Sequence, residues 1–241
     1  MLKRIAIGVL LVCGVSCASM AQQKGGGIIS PRRHVPTLVD TMTMMPYVTA
    51  SLNLFSGKAF LANATGPGGG GGLLFDMTKD GQKVGFMFDF AFQDMYGVGQ
   101  NGNCVSISGD TILESANAYH YWQYVLFEPF LKFQTSGKQK GYFMLGASFG
   151  FAVLSETVSI GQDLTQYARW DQTSFGNRFR LDLRAGIGVQ LAQIDRHALI
   201  LELRAGYPVT NAISNFPNEC LGGGSGNWRI ITLQANVGVR L

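Results

Sequence analysis

A period-two alternation in residues 83–93, KVGFMFDFAFQ, restricts the fold of this chain more than any other feature of its sequence. Successive residues of a β-strand point to opposite faces, so the alternation predicts a strand with one apolar and one polar face. The polar face includes Asp89. In water, the apolar face would be a severe exposed patch, so it must be covered. It consists of Val84, Phe86, Phe88, Phe90 and Phe92.

Eight segments of the chain carry this alternation, some more weakly than others. Most are as long as the roughly 9 to 11 residues that a tilted strand needs to cross a bilayer. We therefore predict an all-β fold, an eight-stranded antiparallel up-and-down transmembrane β-barrel, over residues 45–241. The expected strands lie within residues 46–55, 71–77, 83–93, 123–133, 142–153, 178–191, 197–207 and 228–241.

The composition agrees with a barrel whose outer wall faces lipid. Charged residues make up 14% of the chain and glycine contributes 32 residues. A typical soluble domain carries more charge, about a quarter of its residues. Small inward residues leave room for long charged side chains in the narrow lumen of such a barrel.

Charged residues recur on the polar rows, which point into the predicted lumen. We interpret them as a paired network that fills the lumen, because an uncompensated charge there is costly. A gate or a proton-conducting path is the alternative. The network consists of Asp89, Glu128, Lys132, Arg180, Asp182, Arg184, Glu202, Arg204 and Arg240, together with Asp76.

The predicted connections alternate in length. Short ones such as TKDGQ at 78–82 alternate with long ones at 56–70, 96–116, 155–176 and 209–226. Outer-membrane barrels have short periplasmic turns and longer extracellular loops, so we predict that both termini are periplasmic. Aromatic rings near the outer strand ends are expected at the headgroup level. They are Tyr96, Tyr119, Tyr121, Trp122, Tyr207 and Trp228.

The segment at 228–241 is predicted to close the barrel by pairing with the first strand, since an open sheet edge cannot face lipid. We interpret it as the membrane-insertion strand, with Arg240 as a polar contact at the inner rim. Its lipid-facing row includes Ile231, Leu233, Val237, Val239 and Leu241.

The N-terminus has the pattern of a secretory signal. A basic pair and an apolar run precede a small-x-small cleavage site that ends at Ala21. We predict a signal peptide at 1–21, with a signal anchor or lipidation at Cys17 as the alternatives. Residues 22–44 are predicted to form a periplasmic N-terminal segment, and contact with a periplasmic partner is the other interpretation.

The predicted loops offer few candidate sites. Cys104 and Cys220 lie in long loops of the same outer face, and we hypothesise a disulfide between them in an oxidising compartment. The glycine run at 66–74 lacks the lysine of a phosphate loop, so we interpret it as a flexible loop that runs into a strand. Histidines and cysteines show no metal-ligand spacing, and we predict no metal or cofactor.

Lipid-modifying chemistry is a further alternative, because it needs an activated nucleophile, usually serine beside histidine. Of the mature histidines, only His120 is predicted near the outer rim. Ser106, Ser108 and Ser115 lie in the adjoining loop, but no spacing marks one of them as its partner. We therefore predict no catalytic residue.

Over residues 45–241, the chain resembles the OmpA-like and PorT-like outer-membrane barrels of Gram-negative bacteria, the small "porin family". The local likeness is at YVLFEPFLKF, through Tyr124, Lys132 and Phe133, and in the glycine-rich strand RLDLRAGIGVQL. Leu126 stands where the family has glutamate, and Glu128 where it has proline. The resemblance implies contact with the barrel-insertion machinery, and PorT-like relatives participate in protein export.

These observations predict a non-enzymatic outer-membrane protein that acts through extracellular loops or as a component of an envelope or secretion complex. A narrow channel, a lipid-modifying enzyme and a soluble lipocalin-like binder are the alternatives. Expected partners are outer-membrane lipid and lipopolysaccharide. Nucleic acid is not expected, because no basic run with interleaved aromatic residues occurs.

Overall fold

The computed structural model describes residues 42–57, 64–79, 82–101, 105–107, 110–112, 116–135, 141–161, 166–171, 178–218 and 224–241. The predicted signal peptide, Cys17 and residues 22–41 lie outside this set. The chain divides into Met1–Met42 and Thr43–Leu241. The second unit contains strands β1 Thr43–Gly57, β2 Ala64–Asp76, β3 Val84–Asn101, β4 Val105–Ile107, β5 Asp110–Ile112, β6 Ala116–Gln134, β7 Gly141–Gly161, β8 Gln166–Asp171, β9 Phe179–Ile194, β10 His197–Pro208, β11 Ile213–Asn218 and β12 Gly224–Arg240.

Eight of these strands form a closed antiparallel barrel in the order β1-β2-β3-β6-β7-β9-β10-β12. The barrel closes because β12 pairs with β1, from Tyr47 opposite Gly238 to Gly57 opposite Trp228. The predicted eight-stranded barrel and its closing strand are confirmed. No helix in the described part of the chain is long and apolar enough to cross a membrane.

The period-two rows of the sequence become the two faces of the barrel wall. On β9, for example, Leu183 is exposed, whereas its two neighbours in the chain, Asp182 and Arg184, are buried. The same parity holds on β3, where Phe90 lies outside and Asp89 lies inside. The polar rows therefore meet in the lumen and the apolar rows form the outer surface.

The glycine run belongs to a strand, so its prediction as a flexible loop was wrong. Ala64–Asp76 is continuous β2, paired with β1 and β3. The reason is close backbone approach: a Cβ on Gly70 would overlap the carbonyl oxygen of Phe92 on β3. Only glycine permits this contact.

The two ends of the barrel differ. β1 begins and β12 ends at what we call the terminal end, where short connections include a turn with Asp195 in the left-handed conformation, φ 53°. The opposite loop end carries β4–β5, and adds β8 to β7 and β11 to β12. The first connection there spans only 58–63 instead of the predicted 56–70, since the glycine run is strand.

Candidate functional site

Inward side chains of four strands form a layer of charge in the lumen, which we call the charged belt. Each member is at most 3% exposed. β3 and β6 contribute one acid each, β9 contributes alternating charges, and β10 contributes one acid and one base. The belt consists of Asp89, Glu128, Arg180, Asp182, Arg184, Glu202 and Arg204.

Arg204 is the centre of the belt. Its Nη1 lies 2.5 Å from Asp89 Oδ2 and 3.0 Å from Glu128 Oε2. Its Nη2 lies 2.5 Å from Glu202 Oε2, and Nε donates to the same oxygen at 3.0 Å. One guanidinium thus joins carboxylates from three strands, which fixes its orientation through charge-assisted hydrogen bonds.

The other two arginines lie along β9. Arg180 Nε is 2.7 Å from Asp182 Oδ1, and its Nη2 donates to the carbonyl oxygen of Ile230 at 2.8 Å. Arg184 Nη2 lies 3.4 Å from Asp182 Oδ2, and its Nε lies 3.3 Å from Glu128 Oε1. Its Nη1 donates to Gln234 Oε1 at 2.9 Å. The belt therefore continues across the lumen to β12.

Two tyrosines donate hydrogen bonds to acids of the belt. Tyr47 donates its hydroxyl to Asp89 Oδ2 at 2.7 Å, and Tyr142 donates to Glu202 Oε1. Both lie on polar rows, but as aromatic residues they were absent from the predicted network. The signal available in the sequence was that each tyrosine occupies an inward-facing position of its strand, where its hydroxyl can reach a charged neighbour.

The remaining predicted network residues lie outside the belt. Lys132 Nζ lies 2.5 Å from Asp76 Oδ2, and this pair is closer to the terminal end than the belt is. Arg240 is half-buried at the last position of β12 and donates to Gln190 Oε1 at 3.2 Å. The structure thus brings seven of the ten predicted charges into one cluster and leaves three at its terminal side.

Apolar clusters lie on both sides of the belt. The terminal plug consists of Met45, Tyr47, Leu74, Met87, Phe130, Tyr142, Met144, Ala198 and Ile200. The loop plug consists of Phe55, Ala64, Met95, Trp122, Tyr124, Leu126, Ala152, Ala212 and Ile230. Each is packed from the inward positions of several strands. The belt therefore lies between two clusters of buried apolar side chains, and Lys132 Nζ lies 4.6 Å from the centroid of the Tyr142 ring in the terminal plug.

Trp122 does not lie at a membrane interface as predicted. It is fully buried in the loop plug and stacks on Tyr124, with ring centroids 5.9 Å apart. The reason is parity, because even positions of β6 point inward. Tyr119 and Tyr207 are exposed on the outer wall, and Tyr96 stacks there on a neighbouring tyrosine of β6. The Trp228 side chain lies outside the described set.

His120 also lies inside the barrel. It is 1% exposed, and its ring centroid is 5.8 Å from that of Phe55. His120 thus lies near the loop end of β6, as predicted, but its side chain points into the barrel and away from the outer surface where lipid would be processed. The side chains of Ser106, Ser108 and Ser115 are outside the described set.

The cysteines of the predicted disulfide, Cys104 and Cys220, lie outside the described residues. Among the residues that are described, no group of three or more His, Cys, Asp and Glu side chains is placed to hold a metal ion. The acids of the belt instead face arginines.

No family model matches the chain, and no curated protein matches its sequence. Among solved structures, it is similar to Ail, the attachment invasion locus protein of Yersinia pestis, at 10% identity and TM-score 0.37, covering 83% of this chain and 98% of that one. Ail in complex with the heparin analogue sucrose octasulfate matches at 12% identity and TM-score 0.37, covering 82% and 99%. Neisserial surface protein A matches at 13% identity and TM-score 0.34, covering 81% of this chain and 96% of that one. These likenesses carry no conclusion about what this chain binds.

Proposed function

We propose that this chain is a non-enzymatic integral barrel of the bacterial outer membrane that acts through its loop end, not through its lumen. In this proposal it is an OmpA-like or PorT-like protein, with both termini in the periplasm and the loop end outside the cell. The observation that carries the proposal is a lumen filled by buried ion pairs and two apolar plugs, inside a wall whose outer face is apolar.

The outer wall supports membrane insertion. Phenylalanine, leucine and valine side chains are half exposed around the barrel, including Val48 at 61% and Phe90 at 50%. A soluble barrel would expose polar rows and bury these. The lipocalin-like alternative requires the opposite orientation of every strand, so we do not favour it.

A polar cluster marks the edge of this apolar wall towards the loop end. Asp94 follows the phenylalanine row on the outer face of β3, and Gln123 Nε2 donates to its Oδ1 at 2.9 Å. Tyr121 OH donates to the same oxygen at 3.4 Å. The outward row from Val84 to Phe92 then matches the roughly 9 to 11 residues of a membrane-crossing strand.

The lumen supports a closed barrel. Arginines and acids fill its middle with ion pairs, and a cluster of buried apolar side chains packs on each side of this layer. An eight-stranded barrel is about wide enough for side chains alone. The narrow-channel alternative would need a continuous polar path through both plugs.

The strands beyond the polar cluster support action at the loop end. β3, β6 and β7 stay paired up to Asn101, Ala116 and Gly161, and β8 adds a fourth strand to this sheet. The strands therefore continue past the proposed membrane, where lipid does not require them. We propose that this extension binds lipopolysaccharide or a component of an envelope or export complex.

Planar-bilayer recording tests the closed lumen. We expect no conductance steps above those of protein-free bilayers from the purified barrel. Heat-modifiable gel mobility of the same sample checks that the barrel is folded. Reproducible single-channel steps from folded barrel would overturn the proposal in favour of the narrow channel.

Copurification under mild detergent tests the site of action. One variant replaces residues 99–118 with Asn-Gly, joining the paired residues Val98 and Tyr119 by a tight turn. A matched variant shortens the connection at 135–140 in the same way. Partners should be lost from the first variant and kept by the second. The reverse result would place the partner at the terminal end.

A further inference from the structure

The charged belt is not balanced. It contains four carboxyl groups, those of Asp89, Glu128, Asp182 and Glu202, and three guanidinium groups, those of Arg180, Arg184 and Arg204. The nearest other pair, Lys132 with Asp76, is balanced by itself. Fully ionised, the belt would hold one uncompensated negative charge between two apolar plugs, which is costly in a low-dielectric interior.

The four carboxyl groups differ in their cationic partners. Glu202 receives two nitrogens of Arg204, and Asp182 lies between Arg180 and Arg184. Glu128 faces Arg184 and also Arg204. Asp89 has only the Nη1 atom of Arg204, and it shares that atom with Glu128. Asp89 is therefore the acid with the least compensation.

Asp89 and Glu128 are also direct neighbours across the sheet. They are register partners on β3 and β6, and both side chains point inward. Like charges at opposite positions of two strands destabilise the pair. Two carboxylates that share one site retain a proton more readily than either would alone.

The hydrogen bonds of Asp89 leave one of its two oxygens open to a proton. Its Oδ2 accepts from Arg204 Nη1 at 2.5 Å and from Tyr47 OH at 2.7 Å. Its Oδ1 has no hydrogen-bond partner among the described residues and is the free position for a hydroxyl hydrogen.

We propose that the lumen contains a proton-binding site, in which Asp89 is a carboxylic acid that carries its proton on Oδ1. One proton makes the belt neutral. The groups that face this site are Tyr47 of β1, Glu128 of β6, Tyr142 of β7, Arg184 of β9, and Glu202 and Arg204 of β10. The assignment concerns the lumen and does not depend on what the loop end binds.

Infrared spectroscopy of the folded barrel at neutral pH tests the site, because a protonated carboxyl has a carbonyl stretch that carboxylates lack. We expect this band in the parent, and we expect it to shift when the aspartates carry ¹³C in the carboxyl group. Labelling of the glutamates should leave it in place. The band should be lost in Asp89→Asn and kept in the matched variant Asp76→Asn.

Three results would overturn the proposal. They are absence of the band from the folded parent, a shift with glutamate labelling instead of aspartate labelling, and persistence of the band in Asp89→Asn. The first two need only the parent protein, so the test decides even if the variant does not fold. Heat-modifiable mobility monitors folding in each sample.

Discussion

Leu203 and Arg204 are consecutive residues of β10 with opposite surroundings. Leu203 points outward and is 48% exposed on the apolar wall, whereas Arg204 points inward and its side chain is 1% exposed in the belt. The backbone places both in the same strand and in the same two ladders. Their difference shows that the environment changes completely across one peptide unit of the wall.

The two faces tolerate change differently. Outside, lipid chains adapt to the shape of a side chain, so apolar character is the main requirement. Inside, each charge needs a partner at a defined distance, and several glycines leave room for a neighbouring backbone or side chain. The largest effects of substitution should therefore occur on the inward face.

Arg204→Leu is expected to cause the largest loss. It leaves Asp89, Glu128 and Glu202 without their shared cation, and removal of one partner from a buried ion pair costs about 3–5 kcal/mol. Urea unfolding of the folded barrel in detergent measures the effect. Arg229→Leu, on the exposed outer face, is the control and should change stability by at most about 0.5 kcal/mol. Equal stability of parent and Arg204→Leu would contradict the role of the belt.

Leu203→Arg is expected to cost about 2–4 kcal/mol, because it places a charge near the middle of the outward row of β10. The same unfolding measurement applies after reconstitution into lipid. Leu203→Val, which keeps an apolar side chain, should cost much less. If arginine were tolerated as well as valine, the outer wall would not face hydrocarbon.

Gly70→Ala is expected to cost about 1–3 kcal/mol, because the new methyl group would overlap the Phe92 carbonyl. The adjacent Gly69→Ala is a matched control, since its Cβ would meet Thr49 O at an ordinary 3.5 Å. Folding yield and urea midpoint report both changes. Equal effects of the two substitutions would show that the cost is one of glycine flexibility and not of close approach to β3.

Phe90→Leu is expected to give the smallest loss, about 0.5–1 kcal/mol. Its ring contacts Phe127 on the neighbouring strand, with centroids 5.1 Å apart, but the replacement stays apolar. A thermal or urea series that includes Phe90→Asp separates ring contacts from lipid contact. A loss from leucine as large as that from aspartate would contradict an adaptable outer wall.

The faces of the wall could be predicted from the sequence because each strand encodes its own period. Phe86 and Asp89 are assigned to opposite faces by position alone, and the structure places them so. The glycine run was not assigned correctly, since residues 66–72 are six glycines and one proline and therefore give no period. Its place in β2 depends on contacts with β1 and β3.

The pairings inside the lumen depended on more than period. Parity predicts that Arg204 points inward, but not that it contacts Asp89, which lies 115 positions away in the chain. That contact follows from the stagger of the strands around the closed barrel. Parity also places Trp122 inside, although aromatic residues near strand ends suggested the membrane interface.

By itself, the sequence determined the order of the eight wall strands, the two faces of most of them and the class of barrel, because these depend on local alternation and on the need to pair every backbone group away from water. Only the tertiary structure decided which charges meet, how far the strands extend and where the plugs lie. Those features depend on register and on packing between strands that are distant in the chain, and local alternation contains no information about either.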